Sequence, residues 1–461
     1  MNEKHIKSKR DFPAVEILAS EKEIAAASRY LARPLTVEII RRTVEKYKTG
    51  MDKSSKTVNY SDLIRAIIVE IRRFDAMRIG RVINGTGILV HTNLGRAPLS
   101  PELYDIIKGQ ITGYGNVEFD VASGKRGQRG ILAEKYLAMI SGAEAGTIVN
   151  NNAGALFLIL NTLAYRKKVL ISRGELVQIG GGFRIPDIMK RAGARLLEIG
   201  TSNVTTSDDY IRALDEHPAA ILKVHRSNFS VTGFSDEVDV KTLVDIGHKA
   251  GVPVINDLGS GVFINTGEMI GHREPTVQAS VKDGADITCF SGDKLLGGVQ
   301  AGLIVGQKDL IAKIKRNPIF RALRVDKTVF SALEILLGYY LDGTWKENIK
   351  LWRLASRSQN ELLKLAGQVA DKCGAGDIIK VEKSAGQMGG GSLPERPIAS
   401  AALAFSSQIP AIKIAELFRN HQPPVIGRIK DDIFMIDLRA IDNDEINALI
   451  RAIKAVMRRL K

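Results

Sequence analysis

Cysteine is nearly missing from this chain: Cys289 and Cys373 are the only two among 461 residues. Two thiols without ligand spacing exclude a disulfide scaffold and a cysteine-based zinc site. The seven histidines are scattered, so no metal constellation is read either. Long apolar runs are absent too. The longest, Ala155–Leu160, falls far short of the roughly 18 residues of a membrane span. The charged start, Met1-Asn-Glu-Lys-His-Ile-Lys, lacks the apolar core of a signal peptide. These absences predict a cytoplasmic protein without a membrane segment. Acidic residues are the minority charge: 51 Asp+Glu against 66 Lys+Arg leave +15. Such an excess suits a polyanion such as nucleic acid, or else a merely soluble basic surface. What is present, 44% apolar and 25% charged residues, excludes a disordered or collagen-like chain. The length predicts two to four domains.

Three regions separate. Residues 1–80 read as helical, with apolar residues at helical spacing in Leu35–Lys48 (Val37, Ile39, Ile40, Val44) and Tyr60–Phe74 (Leu63, Ile64, Ile67, Ile68, Ile71). This region holds 17 Lys/Arg against 11 Asp/Glu, a surplus of +6, and reads as a basic docking module or a helical cap. Residues 81–340 open on a polar loop, Asn84–Pro98. From about 145, β-rich runs at 146–149, 168–172, 194–199, 219–225, 252–256, 285–290 and 302–305 alternate with helical stretches such as Ser207–Glu216 and Val240–Ala250. That alternation predicts an α/β domain with a mostly parallel sheet, whose ligands sit at the strands' carboxyl ends. Residues 341–461 predict a smaller α+β domain: a helix over Leu351–Asp371, a Gly-rich loop at Gly386–Ser392, a strand at Ala401–Phe405, a helix at Ala411–Asn420, a hairpin over Ile426–Leu438 and a last helix over Asp444–Leu460. The tail Arg451–Lys461 holds five Lys/Arg and no acid.

Chemistry is sought just after each strand. One strand runs into Asn150-Asn-Asn-Ala-Gly, which opens an apolar helix; another ends at Asp257; a third ends at Ser291-Gly-Asp-Lys294. Pyridoxal phosphate needs these parts in this order. Its phosphate wants backbone N–H groups at a helix N-terminus, which Ala153, Gly154 and Ala155 offer. Its ring nitrogen stays protonated against a carboxylate, for which Asp257 is the candidate. Its aldehyde needs a lysine, for which Lys294 is the candidate. Small neighbours, Ser291 among them, leave room for a ligand. His225 ends a strand, where it either faces the cofactor or serves as a hydrogen-bonded structural histidine. Cys289 reads as a packed core thiol. Arg321 and Arg324, at i,i+3 within a basic stretch, would share a helix face and clamp a tetrahedral oxyanion, unless they simply line a solvated helix. Asn84-Gly-Thr-Gly is not a GxGxxG dinucleotide loop, so no nicotinamide site is read.

These residues resemble a known family. Val82-Ile-Asn-Gly-Thr-Gly-Ile-Leu-Val-His-Thr-Asn-Leu-Gly-Arg-Ala-Pro, Gly124-Lys-Arg-Gly-Gln-Arg, Ser172-Arg-Gly-Glu-Leu-Val, Asp257-Leu-Gly-Ser-Gly, Ser291-Gly-Asp-Lys-Leu-Leu-Gly-Gly, Gly390-Gly-Ser-Leu-Pro and Pro424-Val-Ile-Gly-Arg-Ile are similar to motifs of the bacterial selenocysteine synthases, the L-seryl-tRNA(Sec) selenium transferases. The resemblance runs from about residue 30 to the end. It implies a pyridoxal-phosphate enzyme of fold type I, aspartate-aminotransferase-like, with an N-terminal domain that grips tRNA(Sec). It also implies a ring-shaped homodecamer, a pentamer of dimers. Lys294 matches the Schiff-base lysine of the family. Arg96, Arg321 and Arg324 match arginines expected to bind selenophosphate, and Asp293 matches an acidic residue implicated in the reaction.

The expected reaction is conversion of L-seryl-tRNA(Sec) to L-selenocysteinyl-tRNA(Sec). Water leaves the β-carbon and selenium from selenophosphate replaces it. Two other readings stay open. One is a pyridoxal-phosphate β-eliminating lyase acting on a small amino acid or amino sugar acid, with no need of RNA. The other is an RNA-binding protein that keeps the fold without catalysis.

Overall fold

The computed structural model describes residues 5–53, 57–179, 182–226, 233–374, 376, 378–389, 392–406 and 408–460. The chain divides into two compact units, Met1–Val82 and Ile83–Lys461. In the first unit, helices α1 (Arg33–Lys53) and α2 (Tyr60–Asp75) extend the two predicted helical stretches. The Asn59 side chain caps α2 by accepting from the Ser61 N–H at 3.1 Å. Ile39, Ile40 and Val44 from α1 meet Leu63, Ile64, Ile67 and Ile71 from α2 in one core, joined by Leu18 and Ile24. The 3.6-residue period leaves Arg41, Arg42, Lys46, Arg65, Arg72 and Arg73 exposed on these helices.

The second unit carries a seven-stranded sheet: β1 (Ala145–Val149), β2 (Lys168–Ser172), β3 (Arg195–Ile199), β4 (Ala220–Val224), β5 (Val254–Gly259), β6 (Ile287–Ser291) and β7 (Gly302–Gly306). Its spatial order is β3-β2-β4-β5-β6-β7-β1. Strands β2 to β6 run parallel, and β7 lies antiparallel to both β6 and β1. Strand β1 therefore points the same way as β6. The strands β4, β6 and β7 are buried along their whole length and β5 is buried up to Leu258, as expected of a sheet with both faces covered. Helix α3 (Asn152–Leu163) follows β1 and presents Leu156, Ile159 and Leu160 to the core.

A second sheet pairs Ile379–Gly389 with Ser392–Phe405, then Ile433–Asp437, then Arg428–Lys430. It departs from the sequence reading in three places. The predicted Gly-rich loop at Gly386–Ser392 is largely strand; Gly390 and Gly391 lie outside the described residues. The predicted polar loop at Asn84–Pro98 contains a strand, Ile88–Val90, which adds to this sheet through Gln387 and Gly389. Its partner lies almost three hundred residues away, so no local pattern announces it. The predicted helix over Leu351–Asp371 is two helices, Lys350–Ala355 and Gln359–Cys373. Ser358 and Glu361 form a capping box that starts the second one afresh. The last helix is Ile446–Leu460; Lys461 of the basic tail lies outside the described residues.

Candidate active site

Four segments converge at the carboxyl edge of the central sheet. β5 delivers Asp257, β6 ends on Ser291 and leads to Asp293 and Lys294, β4 leads to His225, and β1 leads into α3. Parallel strands bring these ends together although the residues are far apart in sequence.

Asp257 is 5% exposed. Its Oδ1 accepts from Asn152 Nδ2 at 2.8 Å and from the Gly259 N–H at 3.1 Å. The bulge between Asp257 and Gly259 turns that amide back onto the carboxylate. Burial pushes the carboxyl pKa up, and the Asn152 amide, the Lys294 charge, the Gly259 N–H and the Cys289 thiol oppose the rise. Cys289, expected as a packed thiol, is buried, and burial together with the nearby Asp257 charge pushes its pKa up.

Lys294 is 7% exposed and, among the described residues, its Nζ has no hydrogen-bond or ion-pair partner. Burial pushes its ammonium pKa below the ordinary lysine value; the Asp257 charge opposes this and the Arg96 charge adds to it. A lysine so placed is poised to act as a neutral amine. Its turn is pinned by Leu295 N–H donating to the Ser260 carbonyl at 2.9 Å.

Asp293 faces Arg96, whose Nη1 donates to Oδ2 at 2.6 Å; Asp293 Oδ1 is buried without a partner among the described residues. Arg96 holds a left-handed backbone, φ +64°, a conformation that costs a non-glycine residue about 1 kcal/mol or more. The strain persists because Arg96 N–H donates to the His91 carbonyl and Ala97 N–H donates to the Asp293 carbonyl.

The start of α3 differs from expectation. Of the three amides foreseen as free, that of Gly154 donates to the Asn151 side chain at 2.8 Å and that of Ala155 to the Asn151 carbonyl at 3.0 Å. The N–H groups of Ala153 and of Asn152 have no partner among the described residues and point from the positive end of the helix.

Arg321 and Arg324 do not share a helix face. The helix Pro318–Ala322 ends before Arg324, because Leu323 is its C-cap. Leu323 instead gives its carbonyl to the Asn150 N–H at 2.9 Å, fastening this turn to the loop that opens α3. Arg321 is exposed; Arg324 is partly buried and donates to Glu118 at 3.3 Å. Glu118 also holds Arg126 and Arg129, and the Arg129 hydrogen bond draws its pKa down against burial. His225 gives its backbone N–H to the Asp257 carbonyl at 2.9 Å, and its Nε2 meets Glu274 Oε1 at 3.1 Å.

Sequence reasoning missed Asn152, Glu118 and Glu274. The run Asn150-Asn-Asn is a usable signal for the first. The other two carry none, since their partners arrive from remote segments.

The residues present fit pyridoxal phosphate. Among the described residues, buried polar atoms without partners gather here: Asn152 Oδ1 beside Asp257, Asp293 Oδ1 beside Lys294, and the Oγ of Ser260, the residue whose backbone carbonyl holds the lysine turn. A buried amine, a buried carboxylate on the neighbouring strand and two unpartnered helix-start amides are the complement of an aldehyde, a pyridine nitrogen and a phosphate.

The L-seryl-tRNA selenium transferase family model matches residues 82–442. The chain belongs to this family. It is 41% identical over 425 residues to the L-seryl-tRNA(Sec) selenium transferase of Aquifex aeolicus (strain VF5), covering 91% of this chain and 94% of that protein. It is 39% identical over 456 residues to that of Alkaliphilus oremlandii (strain OhILAs), covering 96% and 98%. Among solved structures, D-glucosaminate-6-phosphate ammonia-lyase superposes with a TM-score of 0.59 at 19% identity, covering 84% of this chain and 98% of that one. That likeness concerns the fold, the α/β architecture of fold type I. Among the described residues, no helix of this family member is long and apolar enough to cross a membrane.

Proposed function

We propose that this chain is a pyridoxal-phosphate enzyme that converts L-seryl-tRNA(Sec) to L-selenocysteinyl-tRNA(Sec) with selenophosphate as donor. The observation that carries the reading is Lys294, a buried amine with no partner among the described residues, on the same sheet edge as the buried carboxylate of Asp257. Lys294 and Asp257 would hold the cofactor, with the amides of Asn152 and Ala153 on its phosphate. When bound, pyridoxal phosphate supplies an electron sink for the α-carbon of the seryl group.

The chain's own groups do the rest. Lys294, with its pKa lowered, takes the α-proton as a neutral amine. Asn152 and Gly259 keep the Asp257 carboxylate oriented. Arg96 and Arg324, each already facing a carboxylate, and the exposed Arg321 are the cations for selenophosphate. Asp293 holds Arg96 in place.

The seryl group is an ester and offers no carboxylate, so its grip must come from the RNA. The +6 of residues 1–80 and the exposed arginines of α1 and α2 support docking of tRNA(Sec) on that region. Exposed Tyr104, Ile106, Phe119, Val121, Ile131 and Leu132 support self-association, with the homodecamer as the assembly. A cytoplasmic location and the division at residues 80 and 340 complete the reading.

The test is incubation with seryl-tRNA(Sec) and selenophosphate, reading selenocysteinyl product. Alongside it, Lys294→Ala is expected to abolish the cofactor's protein-bound absorbance; an unchanged band in that variant overturns the assignment.

A further inference from the structure

Glu274 is a buried carboxylate without a structural excuse. Its side chain is 3% exposed, and among the described residues no lysine or arginine lies within ion-pair distance of it. Removing a carboxylate from water is costly unless partners compensate. Its partner here is the imidazole of His225, with Nε2 and Oε1 3.1 Å apart.

Both ends of this pair are anchored. Glu274 N–H donates to Thr266 Oγ1 at 2.9 Å, and that hydroxyl donates to the His272 carbonyl at 2.5 Å. The segment returns to the sheet's edge where Val277 N–H donates to the Val262 carbonyl. His225 is fixed by its N–H on the carbonyl of Asp257. The imidazole is therefore held by its backbone at the level of Asp257 and by its far nitrogen on Glu274. Glu274 also lies close enough for its charge to act on Lys294. A carboxylate behind a histidine commits one ring nitrogen and fixes the plane of the ring.

We propose that Glu274 is a positioning residue of the active site, which holds the His225 imidazole in one orientation beside Asp257 and thereby sets how tightly the cofactor is bound. This rests on the cofactor reading above. Neither residue type nor spacing marks position 274 in the sequence, and its effect is exerted through His225.

The experiment uses the full chain stripped of cofactor and titrated with pyridoxal phosphate. It reads the dissociation constant and the circular dichroism of the cofactor band, with the melting temperature of the cofactor-free protein as the control for folding. Glu274→Gln keeps an acceptor oxygen at the same reach, and is expected to retain affinity within a few-fold and the dichroic band. Glu274→Asp keeps the charge but falls a methylene short, and is expected to weaken binding about 10- to 100-fold, the scale typical of residues that orient a ligating group. His225→Ala combined with Glu274→Asp is expected to bind no worse than His225→Ala alone. The reverse order, with Asp tolerated and Gln not, overturns the proposal in favour of a purely electrostatic effect on Lys294. Additive losses, or unchanged affinity and dichroism in Glu274→Asp, overturn it as well. Absence of any cofactor band in the unsubstituted protein overturns the cofactor reading and this inference together.

Discussion

Gly302 begins β7 directly behind the start of α3, and it offers a clean perturbation of the helix-start amides. A Cβ at this position would overlap the carbonyl oxygen and carbon of Asn151 and sit 2.9 Å from the Asn152 nitrogen. All three are backbone atoms, so no side chain can swing away. Ordinary carbon contacts lie near 3.5–4.0 Å, so Gly302→Ala must displace the Asn151–Asn152 turn by something on the order of 1 Å. That turn carries the Asn151 cap on Gly154 and the Asn152 hydrogen bond to Asp257. Overpacking of this kind costs about 1–3 kcal/mol of stability, a melting shift of a few degrees. Misplacement by about 1 Å at a reacting centre costs about 100-fold in rate. The expected outcome is a modest loss of melting temperature with a disproportionate loss of cofactor affinity and turnover. Gly367→Ala is the control: Gly367 lies inside the helix Gln359–Cys373 with nothing within 4 Å of its added carbon, and the change should stabilise by roughly 0.5–1 kcal/mol. Wild-type cofactor affinity in folded Gly302→Ala would refute the coupling between this close approach and the site.

Asp442 gathers Arg353 at 2.7 Å, Arg357 at 3.2 Å and Lys350 at 3.4 Å. Burial pushes its pKa up, but the Arg353 hydrogen bond, the Asn443 N–H and the Lys350 charge outweigh this and leave it below the ordinary aspartate value. A carboxyl lowered on folding stabilises above its unfolded pKa and loses that contribution as pH falls through the folded one. Asp442→Asn keeps the capping oxygen and strands three cations, so denaturant unfolding near neutral pH should show a loss of about 3 kcal/mol that shrinks as pH drops below 3.8. Binding of tRNA(Sec), if about six phosphates are neutralised, should weaken about a thousandfold between roughly 50 and 200 mM salt in a filter-binding assay. A flat salt profile would remove the basic docking surface from the account.

The parts of the site that were legible in the sequence are those that follow a strand directly. Asp257 after β5 and Lys294 after β6 are short, local patterns, and the parallel sheet turns such patterns into neighbours. The illegible parts are contacts between segments remote in the chain. Arg96 reaches Asp293 across 197 positions, Asn152 reaches Asp257 across 105, and Arg324 reaches Glu118 across 206. Helical spacing suggested that Arg321 and Arg324 form a pair, but a cap at Leu323 and its bond to Asn150 separate them. The Ser358-Gln-Asn-Glu361 capping box was a readable signal that one predicted helix is two, because a serine with a glutamate three residues on satisfies two amides that a continuous helix would have paired internally. Strand Ile88–Val90 illustrates the opposite limit: three apolar residues suffice for a strand only because Gln387 and Gly389 arrive to pair with them. Local chemistry thus names the reacting groups, while the groups that hold them in register are chosen by topology. For that reason a substitution at Asn152, Glu118 or Glu274 should be as informative about this enzyme as one at Lys294.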